Sequence, residues 1–208
     1  MVEIKKLIEG YKKFHNSVVS DKNDIFKGIQ TSQNPETLII CCSDSRVDPA
    51  ILTNAEIGDI FVVRNVANLV PTYQPKWDSN HGTSAAIEFA VNHLHVSNIV
   101  VLGHSNCGGI KTLVDSDIDI NQEFSFINNW IEIADEVKKT IPDDVADKYT
   151  FCEQECIKLS LSNLMTFPWI KKKVENKELQ LHGWYFSLKN ASLAILNEDN
   201  NVFEEVEV

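Results

Sequence analysis

The sequence is short of positive charge: 19 Lys and Arg stand against 30 Asp and Glu, a formal net charge of −11. Nucleic acid and anionic membrane surfaces call for basic patches, so neither is an expected partner. Long apolar runs are missing too, and none approaches the roughly 20 residues that a membrane-spanning helix needs. The N-terminal Met-Val-Glu-Ile-Lys-Lys-Leu-Ile-Glu carries charge throughout and lacks the apolar stretch of a signal peptide. Glycine and proline are scarce, at 8 and 6 of 208 residues, which sets aside collagen-like and disordered classes. The five cysteines are odd in number, which argues against a disulfide framework. A reducing, cytoplasmic setting is the expectation, with thiolates free to bind metal. No internal repeat or Gly/Ser-rich linker marks a domain boundary. Residues 1–208 therefore read as one domain that handles small molecules.

What is there is an alternation of apolar strands and amphipathic helices. Residues 1–17 have Ile4, Leu7, Ile8, Tyr11 and Phe14 at helical spacing, and a short second helix is expected from Asp21 to about Gln30. This N-terminal helical arm, residues 1–30, has an apolar stripe that must pack on something, and a partner subunit is the expectation. Strands are predicted at 37–42, 59–64, 99–102 and 179–186, with 191–196 and 202–208 as an antiparallel edge. Asp48-Pro49 opens a helical turn. Helices are predicted over 83–94, from the glycine pair Gly108-Gly109, over 123–142 with Phe126, Ile127, Trp130, Ile131 and Val137 buried, over 144–165, and from Thr166 to Lys173. The fold class is α/β: a mainly parallel central sheet flanked by helices, with an antiparallel edge. Ligands in such folds sit outside the carboxyl ends of the strands.

Two strand ends carry the chemistry. Thr37-Leu-Ile-Ile-Cys-Cys-Ser-Asp-Ser-Arg46 ends in Cys42, Asp44 and Arg46, spaced two apart. An extended chain puts such positions on one face, so a thiolate and a carboxylate converge, with the guanidinium fork of Arg46 placed to hold Asp44. Asn98-Ile-Val-Val-Leu-Gly-His-Ser-Asn-Cys107 ends the same way in His104 and Cys107. Two sulfurs, one imidazole and a nearby carboxylate read as a mononuclear zinc site, with Cys42, His104 and Cys107 as ligands and water or Asp44 in the fourth position. Cys107 precedes a helix N-terminus, where peptide dipoles favour a thiolate. A zinc-bound water loses its proton near neutral pH, and Asp44 can orient it by accepting a hydrogen bond. Two thiolates donate charge to the metal, so activity is expected to rise on the alkaline side. The plainer readings go to Cys41 as a core residue, Cys152 and Cys156 as a helical packing face, His182 as structural and Asp48 as a turn residue.

The pair Cys42-x-Asp44-x-Arg46 and His104-x-x-Cys107 resembles the signature of the β-class carbonic anhydrases. The likeness extends to Arg64-Asn-Val-Ala-Asn, Gly82-Thr-Ser-Ala-Ala-Ile-Glu, Leu159-Ser-Leu-Ser-Asn-Leu and Leu181-His-Gly-Trp, and spans roughly residues 25–190. It implies reversible hydration of carbon dioxide to bicarbonate and a proton, by attack of zinc-bound hydroxide in a small apolar pocket at a dimer interface. It implies one Zn2+ per subunit and a homodimer or higher homo-oligomer. Matching pocket positions are Gln33, Phe61, Val66 and Phe89, with the backbone of Gly108 near the substrate; Phe89 stands where plant-type relatives commonly carry Tyr. Some bacterial relatives hold an inhibitory bicarbonate with a Trp, an Arg and a Tyr, which favours an aspartate-closed zinc. Arg64 matches, but Ile39 and Phe186 replace the aromatic donors, so an open, plant-like site is expected. Two alternatives stay in view. One is a zinc-stabilised, non-catalytic protein on the same scaffold, which has little use for Asp44 and Arg46. The other is hydrolysis of carbon disulfide or carbonyl sulfide, which nothing in the motif excludes.

Overall fold

A computed structural model describes residues 2–20, 26, 28–75, 81–115 and 126–207. The chain forms two compact units, Met1–Gln33 and Asn34–Val208. The first is built on helix α1, Val2–Ser20, whose Ile4, Leu7, Ile8, Tyr11 and Phe14 are all exposed. Most of the helix expected from Asp21 lies outside the described residues; residues 28–30 form a turn and bend.

The second unit runs β1 (Thr37–Cys42), α2 (Pro49–Thr53), β2 (Ile60–Asn65), a 3-10 turn (Val66–Asn68) and α3 (Gly82–Glu88). Helix α3 continues into a π-type turn, Phe89–His93, then β3 (Asn98–His104) and α4 (Gly108–Asp115) follow. Next come α5 (Phe126–Ile131), a 3-10 turn (Glu132–Ala134), α6 (Asp135–Lys139), α7 (Lys148–Leu164) and α8 (Pro168–Glu175). Strands β4 (Gln180–Phe186), β5 (Leu193–Asn197) and β6 (Val202–Glu205) complete it. The sheet order is β2-β1-β3-β4-β5-β6. The first four strands are parallel and the last two antiparallel, so the expected α/β architecture and its antiparallel edge are both present. Strand β1 is buried on both faces: Leu38 and Ile40 pack into one apolar cluster, Ile39 and Cys41 into another.

Local chemistry sets the helix ends. Asp48 caps α2, accepting from the backbone N–H groups of Ala50 and Ile51, while Pro49 takes the first position. Asp147 caps α7 in the same way through Tyr149 and Thr150, which moves its start from the expected Asp144 to Lys148. The 123–142 expectation needs correction. Ile131, Ala134 and Val137 are buried, at three-residue spacing, because the 3-10 turn between α5 and α6 aligns side chains at i and i+3. That change of period leaves Phe126 and Ile127 off the core face. Phe126 is 94% exposed, and both residues line a cleft of about 970 Å³ with Trp130 and Val66.

Helix α7 lies close over β3 because Gly103 has no side chain. A Cβ there would stand 2.7 Å from Cδ1 of the buried Ile157. Gly103→Ala is expected to lower stability by about 1–3 kcal/mol through overpacking, read from urea unfolding. A change within about 0.5 kcal/mol would show that Ile157 gives way freely.

Candidate metal centre

Strands β1 and β3 are adjacent and parallel, with Cys41 in register with Leu102. Their carboxyl ends therefore deliver Cys42 and His104 side by side. The chain then turns through Ser105 and Asn106, whose φ of 56° is left-handed, and Cys107 falls just before α4. The next residue but one is Gly109, where a Cβ would stand 2.6 Å from Cγ1 of Val66. Its bareness lets the first turn of α4 close over the 3-10 turn beside the site.

The ligand atoms of Cys42, His104 and Cys107 lie within 4.8 Å of one another, and all three residues are buried. Among the described residues this is the one group of three such side chains that converges. The two sulfurs are 3.8 Å apart, within hydrogen-bond distance of each other. The neighbouring Cys107 sulfur is the chief reason the Cys42 thiol is held below its ordinary range, and the backbone N–H groups of Asp44 and Ala67 add to it. The Cys107 thiol is correspondingly pushed up, although the N–H groups of Gly109 and Ile110 face its sulfur. Those N–H groups are the start of α4, which favours a Cys107 thiolate as the sequence led one to expect. His104 is oriented by the Ser105 carbonyl, 2.9 Å from Nδ1. With Nδ1–H donating there, the Nε2 lone pair points into the site, where it is buried with no hydrogen-bond partner. An unpartnered imidazole nitrogen facing two thiols is a donor set that suits zinc.

Asp44 stands beside this cluster rather than within it. The Arg46 guanidinium takes both its oxygens, Nε to Oδ1 at 2.9 Å and Nη2 to Oδ2 at 2.7 Å, and the Arg46 backbone N–H adds a third bond. Residues 45–46 form a turn, so an extended strand is not what joins Asp44 to Arg46; the fork is. The hydrogen bonds from Arg46 hold the Asp44 carboxyl far below the usual carboxylate range. Its Oδ2 is 3.9 Å from His104 Nε2, close enough to face whatever binds there.

A family model described as carbonic anhydrase matches residues 37–193. The chain belongs to the β-class carbonic anhydrases. It is 35% identical to beta carbonic anhydrase 3 of Arabidopsis thaliana over 88% of this chain and 72% of that one. The solved structure of the beta-carbonic anhydrase CcaA superposes with a TM-score of 0.90 at 31% identity, covering 100% of this chain and 94% of that one. One of two tetrameric beta-carbonic anhydrases from Sordaria macrospora gives 0.72 at 29% identity, over 94% of each chain. The activity is accordingly that of a carbonate dehydratase, a lyase.

The other expected positions of this carbonic anhydrase are placed as follows. Phe61 and Phe89 pack ring against ring at 5.9 Å, with Phe89 43% exposed. Val66 lines the 970 Å³ cleft, and Gly108 opens α4 directly after Cys107. Gln33 is exposed and belongs to the first unit. Cys41, Cys152 and Cys156 are buried in apolar clusters, as expected of packing residues. Asp48 is both the helix cap and an ion-pair partner, 3.3 Å from Arg64. Arg64 does more than its motif announces: Nε reaches the Cys42 carbonyl, and Nη2 the carbonyls of Asp44 and Val47, at 2.7–3.0 Å. It clamps the loop that carries Asp44, and only its lodging on β2 in register with Cys41 hinted at that.

Proposed function

We propose that Cys42, His104 and Cys107 hold one zinc ion per chain and that carbon dioxide is hydrated beside it. The observation that carries this is the buried, unpartnered Nε2 of His104 aimed at two sulfurs, with Asp44 fixed alongside rather than among them. Zinc bound there supplies Lewis acidity and a nucleophile at neutral pH. The chain's residues do the rest. Ser105 fixes the imidazole, and Arg64 and Arg46 fix the loop and the carboxylate. Asp44 accepts a proton of the attacking water in a hydrogen bond at Oδ2, aligning the oxygen on the carbon of the substrate. Asp44 and Arg46 are thus the catalytic pair, and zinc-dependent hydration of carbon dioxide by the purified protein tests the reading.

The substrate pocket is assigned to Phe61, Val66, Phe89 and the backbone of Gly108, apolar enough to hold a linear apolar molecule. A homodimer or higher homo-oligomer completes it, with the helical arm packed on a partner subunit. Support comes from the uncovered apolar stripe of α1, the exposure of Phe89 and Val62 near the sheet edge, and the tetrameric assembly of the Sordaria relatives. A cytoplasmic location is consistent with five free cysteines. Among the described residues, no helix is long and apolar enough to cross a membrane.

The site stays open in this reading. Four of the five N–H donors of Arg64 are engaged by three carbonyls and Asp48, and Ile39 and Phe186 offer no polar group to an anion. A crystal structure of the zinc-loaded protein at about pH 7.5 is expected to keep Asp44 on Arg46. Asp44 ligating the metal there would contradict it.

A further inference from the structure

One peptide unit, between Asn106 and Cys107, is gripped from both sides. Its carbonyl accepts from Arg46 Nη2 at 3.0 Å, the same nitrogen that holds Asp44. Its N–H donates to Glu153 Oε1, also at 3.0 Å. Glu153 is a carboxylate at 4% exposure, and its other oxygen accepts from the Tyr185 hydroxyl at 2.7 Å. A buried carboxylate is expensive to keep, and no salt bridge to Glu153 is formed among the described residues. It sits one helical turn before Ile157, the residue that needs Gly103 to be bare, so the close approach of α7 to β3 is what brings it to the metal-ligand turn.

We propose that Glu153 is a positioning residue of the metal centre. Its hydrogen bond to the Cys107 N–H, backed by Tyr185, sets the peptide plane that aims the Cys107 sulfur at the site and presents the Asn106 carbonyl to Arg46. The peptide, the dyad and the buried carboxylate form one relay: Tyr185 to Glu153, Glu153 to Cys107, Asn106 to Arg46, Arg46 to Asp44. Partners of this kind behind a metal ligand fix its direction and are worth about 10–100-fold in metal affinity. The role is geometric and does not depend on the charge. Glutamine at 153 keeps an oxygen for the Cys107 N–H and an amide N–H for the Tyr185 oxygen, so it preserves the plane; alanine does not.

This inference rests on the zinc reading, and cobalt(II) alone is the probe that separates the two. Metal-stripped wild-type protein titrated with cobalt(II) is expected to develop sulfur-to-cobalt charge-transfer absorption and the visible bands of a tetrahedral site. No such bands in the wild type would overturn the zinc reading itself. Glu153→Ala is expected to weaken cobalt(II) binding by about 10–100-fold and to shift or dim the bands, whereas Glu153→Gln stays within about 3-fold of wild type. Ile170→Ala, a core truncation on α8 outside the relay, should lower stability yet leave the bands in place. Wild-type bands and affinity in a folded Glu153→Ala, or an equal loss in Glu153→Gln, would overturn the proposal. If Glu153→Ala fails to fold, Tyr185→Phe carries the test: weakening of roughly 3-fold or more supports the relay, and unchanged binding overturns it.

Discussion

Asp44→Asn keeps its zinc and loses about 10²-fold or more in carbon dioxide hydration, the range for a lost proton-accepting group at a reacting centre. The metal should stay because the Asp44 carboxylate lies outside the converging ligand set, and two charge-assisted bonds to Arg46 hold it. The rate should fall because asparagine offers one acceptor oxygen instead of two and no negative charge. Arg46 can then occupy that oxygen and leave nothing for the attacking water. Arg46→Ala separates position from charge. Without the guanidinium the Asp44 carboxyl rises toward the ordinary carboxylate range and remains ionised at neutral pH. A loss comparable to that of Asp44→Asn would therefore be a loss of aim. The sign of the pH dependence follows from the same pair. A depressed carboxyl is ionised throughout the neutral range, so the alkaline rise in rate belongs to another group and should persist, reduced in height, in Asp44→Asn. The measurement is hydration rate against pH together with zinc content. Full rates in either variant would remove the dyad from the mechanism.

His104→Ala is the more drastic change, expected to take hydration down to the uncatalysed background, a loss that can reach about 10⁶-fold. The two remaining sulfurs, 3.8 Å apart, are left as the only ligands in the cluster, too few for a catalytic zinc site. Zinc content after dialysis and hydration rate should fall together. Zinc retained at one per chain with the rate lost would make His104 catalytic but not a ligand, and the assignment would have to change.

Much of the fold could be read along the chain, because β-branched apolar runs bounded by Pro, Gly and Asn leave little choice of strand. The two strand ends that carry Cys42 and His104 were legible for the same reason. Where periodicity misled, a local device had changed the period. The 3-10 turn at Glu132–Ala134 re-phases the buried face and leaves Phe126 outside it. A cap at Asp147 fixes the start of α7 at Lys148, later than the Asp144 that periodicity suggested. The ligands were legible because cysteine and histidine at strand ends are rare and chemically pointed. Arg64 and Glu153 were not, because a charged residue announces nothing about which carbonyl or peptide it will meet. Glu153 left one trace: it sits four before Ile157 and three before Cys156, on the apolar face of α7, where a carboxylate needs a reason. Such roles become visible only when the turn after β3, the loop after β1 and helix α7 are brought together.

Whether Cys42, His104 and Cys107 form a zinc centre that hydrates carbon dioxide is decided by one titration. Metal-stripped protein would receive zinc in steps, with stopped-flow hydration read at each step from about pH 6.5 to about pH 9. The rate is expected to grow linearly with zinc, break at one equivalent per chain and climb with pH. A rate that stays near background when the chain is fully loaded would contradict that assignment.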